Sequence, residues 1–153
     1  MLKKKSRGDC PLQLTTHSAG ETMKWAERFS RTLQPGTVLA LTGDLGTGKT
    51  TFIKGLARGL GLKDCDQVKS PTFALMHLYP ADIPLIHFDL YRLEKVGELH
   101  AIGFEEYVND PGAVICVEWA EKAGELIPSA AYHIEIRHGG GKTRHLDVKS
   151  PQP

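Results

Sequence analysis

Residues Thr37 to Phe52, TVLALTGDLGTGKTTF, decide the fold. The first seven, TVLALTG, form a short apolar run with β-branched residues, suited to a strand buried on both faces of a parallel sheet. From Gly43 to Thr50 the chain then satisfies G-x-x-x-x-G-K-[ST]. The spacing carries a mechanism: glycines let backbone N–H groups turn inward around a phosphate, and the following helix adds its positive end. Lys49 brings charge to the β/γ-phosphates, and Thr50 brings a hydroxyl to Mg²⁺. Phe52, Ile53, Leu56, Ala57 and Leu60 then recur as one helical stripe, which supplies the helix the motif requires. Gly55 and Gly59 share a face of it and permit close approach of a neighbour, and Gly61 is placed to cap its end.

The same chain carries a control. GGGKT, Gly139 to Thr143, also contains G-K-T, but Ile136 stands where the leading glycine is needed. It lies between alternating segments, Tyr132–Ile134–Ile136 before and HLDV after, and reads as a hairpin turn.

Upstream, Ser18 and Glu21 form a capping box for a helix in which Met23, Ala26, Phe29 and Leu33 recur, stopped by QPG. Downstream, FALMHLY (Phe73 to Tyr79) and LIHFDLY (Leu85 to Tyr91) read as adjacent strands joined by the turn PADIP. GELHAIGFEEYVND suggests one or two short helices broken near Gly103. AVICVEW is another buried strand, and AEKAGELIP a short helix ended by Pro128. Strands and helices alternate with hairpins, which predicts a three-layer α/β domain of P-loop NTPase type. Its sheet is expected to be mixed and mainly parallel, with a C-terminal antiparallel hairpin. One domain over residues 1–153 is expected, with 1–10 and 149–153 as flexible tails.

At 153 residues, 41% hydrophobic and 24% charged, the chain can bury roughly two thirds of its unfolded surface. A net charge of +1 steers the whole molecule toward neither nucleic acid nor acidic membrane. The one local bias is Lys3, Lys4, Lys5 and Arg7, read as a solvated terminus or as an arm that touches RNA. No apolar segment follows it, and no run is long enough to span a bilayer. Cys10, Cys65 and Cys116 are odd in number and share no CxxC spacing, so neither a disulfide framework nor a zinc site is supported, and reducing cytoplasm is the simplest compartment. The seven histidines form no paired ligand spacing, including His133, His138 and His145.

Two carboxylates end buried runs. Glu118 follows VICV and Asp89 follows LIHF, so both can face one Mg²⁺-bound phosphate if their strands flank the loop strand. Either could instead cap the next helix, a reading stronger for Asp89, since LYRLEKVGEL follows it. His87 alternates in phase with Asp89 and is expected to be a hydrogen-bonded structural residue. Trp119 and Tyr91, directly after the two carboxylates, are core residues or a packing surface for a partner. Ser70 to Phe73 lie where nucleotide switches sense a γ-phosphate, and Thr72 could offer a hydroxyl there. Arg92 either stabilises phosphate charge or anchors a loop to a carboxylate.

A GTPase would need N-K-x-D and D-x-x-G, and both are absent. A small-molecule kinase acting without a protein partner would need a lid with arginines; Arg92, Arg137 and Arg144 are scattered, and surface ion pairing explains them as well. A regulatory ATPase working for a partner needs neither. Here GDLGTGKTTF, SPTF, HFDLYRL and VEWAE, in this order, resemble the four signatures of the TsaE family, over about Thr15 to Val148. Glu21 and Thr22 in the first helix and the hairpin bearing Arg144 also fit its pattern. Thr47 stands where the family often has alanine, and is expected to face outward from the cradle. The resemblance implies a Mg²⁺-dependent ATPase, weak alone, that serves the synthesis of threonylcarbamoyladenosine in tRNA by resetting a TsaD–TsaB complex. It implies contact with tRNA only through that complex, and work in the cytoplasm. ATP is then expected against Thr22, Gly43, Asp44, Leu45, Gly46, Thr47, Gly48, Lys49, Thr50, Thr51 and Thr72. Lys49, Asp89 and Glu118 are expected to be catalytic, and Thr50, Glu118 and Asp89 to serve the metal. Between the carboxylates, Glu118 is favoured for the metal side and Asp89 for catalysis or switching.

Overall fold

Val38–Thr42, buried along almost its whole length, needs a neighbour on each edge and a helix on each face, and the architecture supplies all four. The computed structural model describes residues 12–71 and 73–151. In chain order the elements are β1 (Leu12–Thr16), α1 (Ala19–Ser30), β2 (Val38–Thr42), α2 (Lys49–Gly59), β3 (Met76–Tyr79), β4 (Leu85–Asp89), α3 (Gly97–Ala101), α4 (Phe104–Val108), β5 (Val114–Glu118), β6 (Tyr132–His138) and β7 (Arg144–Lys149), with 3-10 segments over Cys65–Gln67 and Ala120–Leu126. The strands form one sheet in the order β1-β7-β6-β2-β5-β4-β3. Its centre, β6-β2-β5-β4, is parallel, and antiparallel pairs flank it on both sides.

Alternation of side chains divides the core in two. Leu39, Leu41, Leu85, Val114, Cys116 and Ile134 pack under α1 and α2. Val38, Ala40, Ile86, Phe88, Ile115 and Val117 pack on the other face with Leu99 of α3 and Phe104 of α4. The expected three layers are therefore present. Trp25 and Phe29 stack with ring centroids 5.0 Å apart, and Phe29 meets Phe52 at 6.4 Å and Tyr132 at 5.4 Å, tying α1 to α2 and β6. Such pairs contribute roughly 0.5–1.5 kcal/mol each beyond burial.

The helix signals act as their chemistry requires. Ser18 accepts the Glu21 N–H at 3.1 Å, the forward half of the capping box, while Glu21 reaches back one residue past the cap to the His17 N–H at 2.7 Å. At the end of α2, Gly61 N–H reaches Arg58 O and Leu62 N–H reaches Ala57 O, the paired bonds of a Schellman turn. A Cβ on Gly59 would lie 1.7 Å from Ser30 Oγ and 2.5 Å from Glu27 O, so the glycine face sets the close contact of α1 with α2.

Four boundaries differ from expectation. β1 has no counterpart in the sequence reading; it pairs along β7, a partner remote in sequence. β3 begins only at Met76, because Leu75 takes φ +63° and its preceding residues turn. The helix expected after Glu118 is a 3-10 segment broken at Gly124. Lys149, assigned to a flexible tail, pairs with His133 at the end of β7. The basic arm with Lys3, Lys4, Lys5 and Arg7, and Cys10, lie outside the described residues. Among those described, no helix is long and apolar enough to cross a membrane.

Candidate active site

At the carboxyl end of β2 the chain turns sharply, and Gly43 is the reason it can. Its φ is +142°, and a Cβ there would sit 2.3 Å from Ile136 O on β6 and 2.9 Å from Thr47 Oγ1. The loop then rises to Leu45, 68% exposed at its tip, and descends into α2. Gly48 begins the helix with no side-chain cap, which leaves the helix N-terminus open to an anion.

The two carboxylates meet, but not because both strands flank β2: only β5 pairs with it, and β4 lies beyond β5. β4 and β5 pair in parallel with Asp89 opposite Glu118 and His87 opposite Cys116. All four residues point to the α2 face, and both carboxylates are buried. Glu118 is held at each oxygen: Thr50 Oγ1 donates to Oε1 at 3.0 Å, and His87 Nε2 lies 2.6 Å from Oε2. His87 is fully buried and hydrogen-bonded, as its phase with Asp89 predicted. Asp89 uses its oxygens differently. Oδ1 accepts the Tyr91 N–H at 2.9 Å, closing a local turn rather than capping a helix, since α3 begins only at Gly97, while Oδ2 accepts the Ser70 hydroxyl.

Lys49 is 5% exposed. Its Nζ donates to Gly43 O at 2.6 Å and Asp44 O at 2.9 Å and lies 4.3 Å from the centre of the Trp119 ring. Burial pulls its pKa below the ordinary lysine value, and Glu118, Glu121, Asp89 and Asp44 oppose that shift. Asp89 is pushed above the usual carboxylate range, first by burial and further by the nearby Glu118 charge, against the Tyr91 N–H, His87 and Lys49. Two carboxylates and a hydroxyl converging here form the hard-oxygen set that suits Mg²⁺ rather than a softer metal. An excess of negative charge among them fits a cation held by Thr50 and Glu118 with Asp89 beside it. Among the described residues, no group of three or more His, Cys, Asp or Glu is gathered as a metal site.

These residues line a cleft of about 460 Å³, together with Leu45, Gly46, Gly48, Thr51, Ser70, Tyr91 and Trp119. Trp119 adopts φ +57°, uncommon for a bulky residue, and this turns its ring onto Lys49 and to 5.1 Å from Tyr91. A second cavity of about 420 Å³ lies across the loop, between Ser18, Ala19, Gly20 and Thr22 of α1's start, Gly46 to Gly48, Thr51, and Lys142 and Arg144 of the hairpin. Thr22 is buried there and shares a 2.6 Å hydrogen bond with Thr16. A third hollow of about 460 Å³, at the amino ends of the strands, is walled by Pro35, Pro111 and Pro128, and Asp110 is the one charged residue lining it. It lacks the convergent groups of the other two.

Some expectations need revision. Thr47 does not face outward: it is buried, and its hydroxyl donates to Asp44 O at 3.0 Å, bracing the loop from inside. Among the described residues, Arg92 reaches neither phosphate cradle nor carboxylate; its guanidinium lies 4.4 Å from the Phe73 ring. Arg137 is paired with Glu135 and Asp147, as surface ion pairing predicted. Thr72 lies outside the described residues. Burial pushes the Cys116 thiol far above its ordinary pKa, which makes it a packing residue. The sequence reading missed Lys142 beside the second cavity and the reach of Arg144 to the loop; GGGKT was a visible signal of a turn, but not of what the turn touches.

Comparison with known proteins shows the family. Residues 16–146 match the family model described as threonylcarbamoyl adenosine biosynthesis protein TsaE. The chain is 36% identical over 137 residues to the tRNA threonylcarbamoyladenosine biosynthesis protein TsaE of Treponema pallidum, covering 90% of this chain and 99% of that one. It is 40% identical over 136 residues to the protein of the same name from Bacillus subtilis, covering 88% and 83%. The crystal structure of YdiB from Bacillus subtilis superposes with a TM-score of 0.75 at 33% identity, over 94% of this chain and 87% of that one.

Proposed function

The chain belongs to the TsaE family, whose work is threonylcarbamoyladenosine biosynthesis in tRNA, and from that premise we propose that it is a Mg²⁺-dependent ATPase serving this pathway. It binds ATP with the phosphates in the first cleft and the nucleoside toward the second, where Thr22 lies. The observation that carries the reading is the register of β4 with β5, which sets Asp89 beside Glu118 while Thr50 bonds the latter.

Each residue has a distinct role. The N–H groups of Gly46 and of Gly48 to Thr51 bind phosphate oxygens at the positive end of α2, Thr47 N–H being engaged with Asp44 O. Lys49 exchanges two loop carbonyls for the β/γ-phosphates, where negative charge restores its ordinary basicity. Mg²⁺, held through Thr50 and Glu118, would supply charge neutralisation across the phosphates. Glu118's contact with Thr50 supports its place on the metal side. Asp89's contact with Ser70 supports a switching role, in which Ser70 occupies one oxygen until the loop moves and the freed carboxylate orients the attacking water. Trp119 covers the cleft and excludes bulk water from Lys49.

The partner is a TsaD–TsaB pair, reset between turnovers, with tRNA touched only through it. The described cysteines, Cys65 and Cys116, are free, which suits reducing cytoplasm. ATP hydrolysis measured with and without the TsaD–TsaB pair tests this reading. Slow turnover alone and strong stimulation by the pair are expected, with Lys49→Ala weakening ATP binding roughly 10- to 100-fold through loss of charged hydrogen bonds. No ATP binding by the parent protein, or no response to the pair, would overturn it.

A further inference from the structure

Arg144 opens β7, outside the strands that carry the carboxylates, yet its guanidinium reaches the phosphate loop. Nε donates to Thr47 O at 3.0 Å and one terminal nitrogen to Gly46 O at 3.4 Å. The other terminal nitrogen donates to Gly141 O and Thr143 O, each at 2.8 Å, so the same head closes the β6–β7 turn. Beside it, at the end of β6, His138 Nε2 lies 3.4 Å from Leu45 O. Three consecutive loop carbonyls, Leu45, Gly46 and Thr47, are therefore taken by one hairpin.

The chemistry of the peptide bond gives this a direction. The loop peptides are trans, so each C=O points opposite to the N–H of the next residue. Carbonyls of Leu45 and Thr47 turned to the hairpin leave the N–H groups of Gly46 and Gly48 turned away from it; both residues line the first cleft as well as the second cavity, and the first lies on the side away from the hairpin. Thr47 N–H closes an inner turn on Asp44 O at 3.3 Å. A flexible glycine loop would otherwise spend its N–H groups on water in many orientations. We infer that Arg144, seconded by His138, is a positioning residue that preorganises the phosphate cradle by holding its carbonyls outward, without itself touching phosphate. This rests on reading the loop as a nucleotide cradle.

The test compares the parent with Arg144→Lys, which keeps the charge but loses the planar fork, and with His138→Ala at an exposed position. Amide hydrogen exchange of the nucleotide-free protein is read first, then equilibrium binding of ATP and of ADP. Arg144→Lys should speed exchange at Gly46, Thr47 and Gly48 while the central strands keep their protection. It should weaken ATP and ADP by the same factor, about tenfold, as loss of one charge-assisted contact predicts. His138→Ala should move both readouts in the same direction by a smaller factor. Unchanged loop exchange in Arg144→Lys overturns the inference. So does weakening of ATP but not ADP, which means a direct γ-phosphate contact, and so does faster exchange throughout the sheet, which means a merely structural arginine. Were the parent to bind no ATP, the proposed function would fail, while the exchange comparison would still decide the clamp.

Discussion

Asp89 sits where burial costs the fold and where the proposed function needs a carboxylate. Its carboxylate is buried beside Glu118, and the resulting higher proton affinity acts against stability. Between the ordinary value of 3.8 and the raised folded value, the native chain holds more protons than the unfolded one, so stability falls as pH rises through that window. Asp89→Asn keeps the shape and removes the charge. Without nucleotide and metal it should melt above the parent at pH 7, with the gap closing as pH falls toward about 4. Its ATP turnover should drop by a factor on the order of 10² or more, as expected for a lost catalytic carboxylate. Thermal scans at the two pH values check the first part, and a parent that melts higher at pH 7 would refute it. At this scale the sequence was informative about which residues matter, because a strand-ending acid is a local pattern. It was silent on what each oxygen touches, since Ser70, Thr50 and His87 reach the two carboxylates from other segments of the chain. Thr47 was misjudged for the same reason: its hydroxyl turns inward because the carbonyl of Asp44 waits there, and no spacing rule encodes that.

The elements were legible in proportion to how local their signals are. The start of α1 and the end of α2 are written in adjacent residues, and both motifs form as their hydrogen-bond chemistry demands. The paired glycines of α2 foretold a close neighbour, though not which one. Gly59→Ala tests that contact: a Cβ 1.7 Å from Ser30 Oγ and 2.5 Å from Glu27 O forces the helices apart. The expected cost is about 1–3 kcal/mol, read as a lower urea midpoint. Adding Ser30→Ala should recover only part of it, because the Glu27 carbonyl remains; full recovery would place the clash on the serine alone. Strands were harder. LQLTT gives a weak alternation, and β1 exists because β7 offers an unpaired edge, which is information held elsewhere in the chain. β3 is shorter than its apolar run because Leu75 turns the backbone before the ladder starts.

For the whole molecule, the alternation of strands and helices along the chain was enough to predict three layers, whereas strand order was not readable. β2 is flanked by β5 and β6, both much later in the chain. That arrangement predicts that a fragment ending at Ala131 fails to bind ATP tightly although it contains Lys49, Thr50, Asp89 and Glu118. Equilibrium binding on the purified fragment checks this, and parent-like affinity would contradict it. The same topology has a consequence for synthesis. A chain emerging residue by residue presents its phosphate-loop strand early, with one lateral edge bare until β6 arrives. ATP thus cannot act as an early folding template on the ribosome. The nascent protein must keep an apolar central strand out of wrong pairings until the β6–β7 hairpin is released, and on the proposed function competence for nucleotide waits for that hairpin.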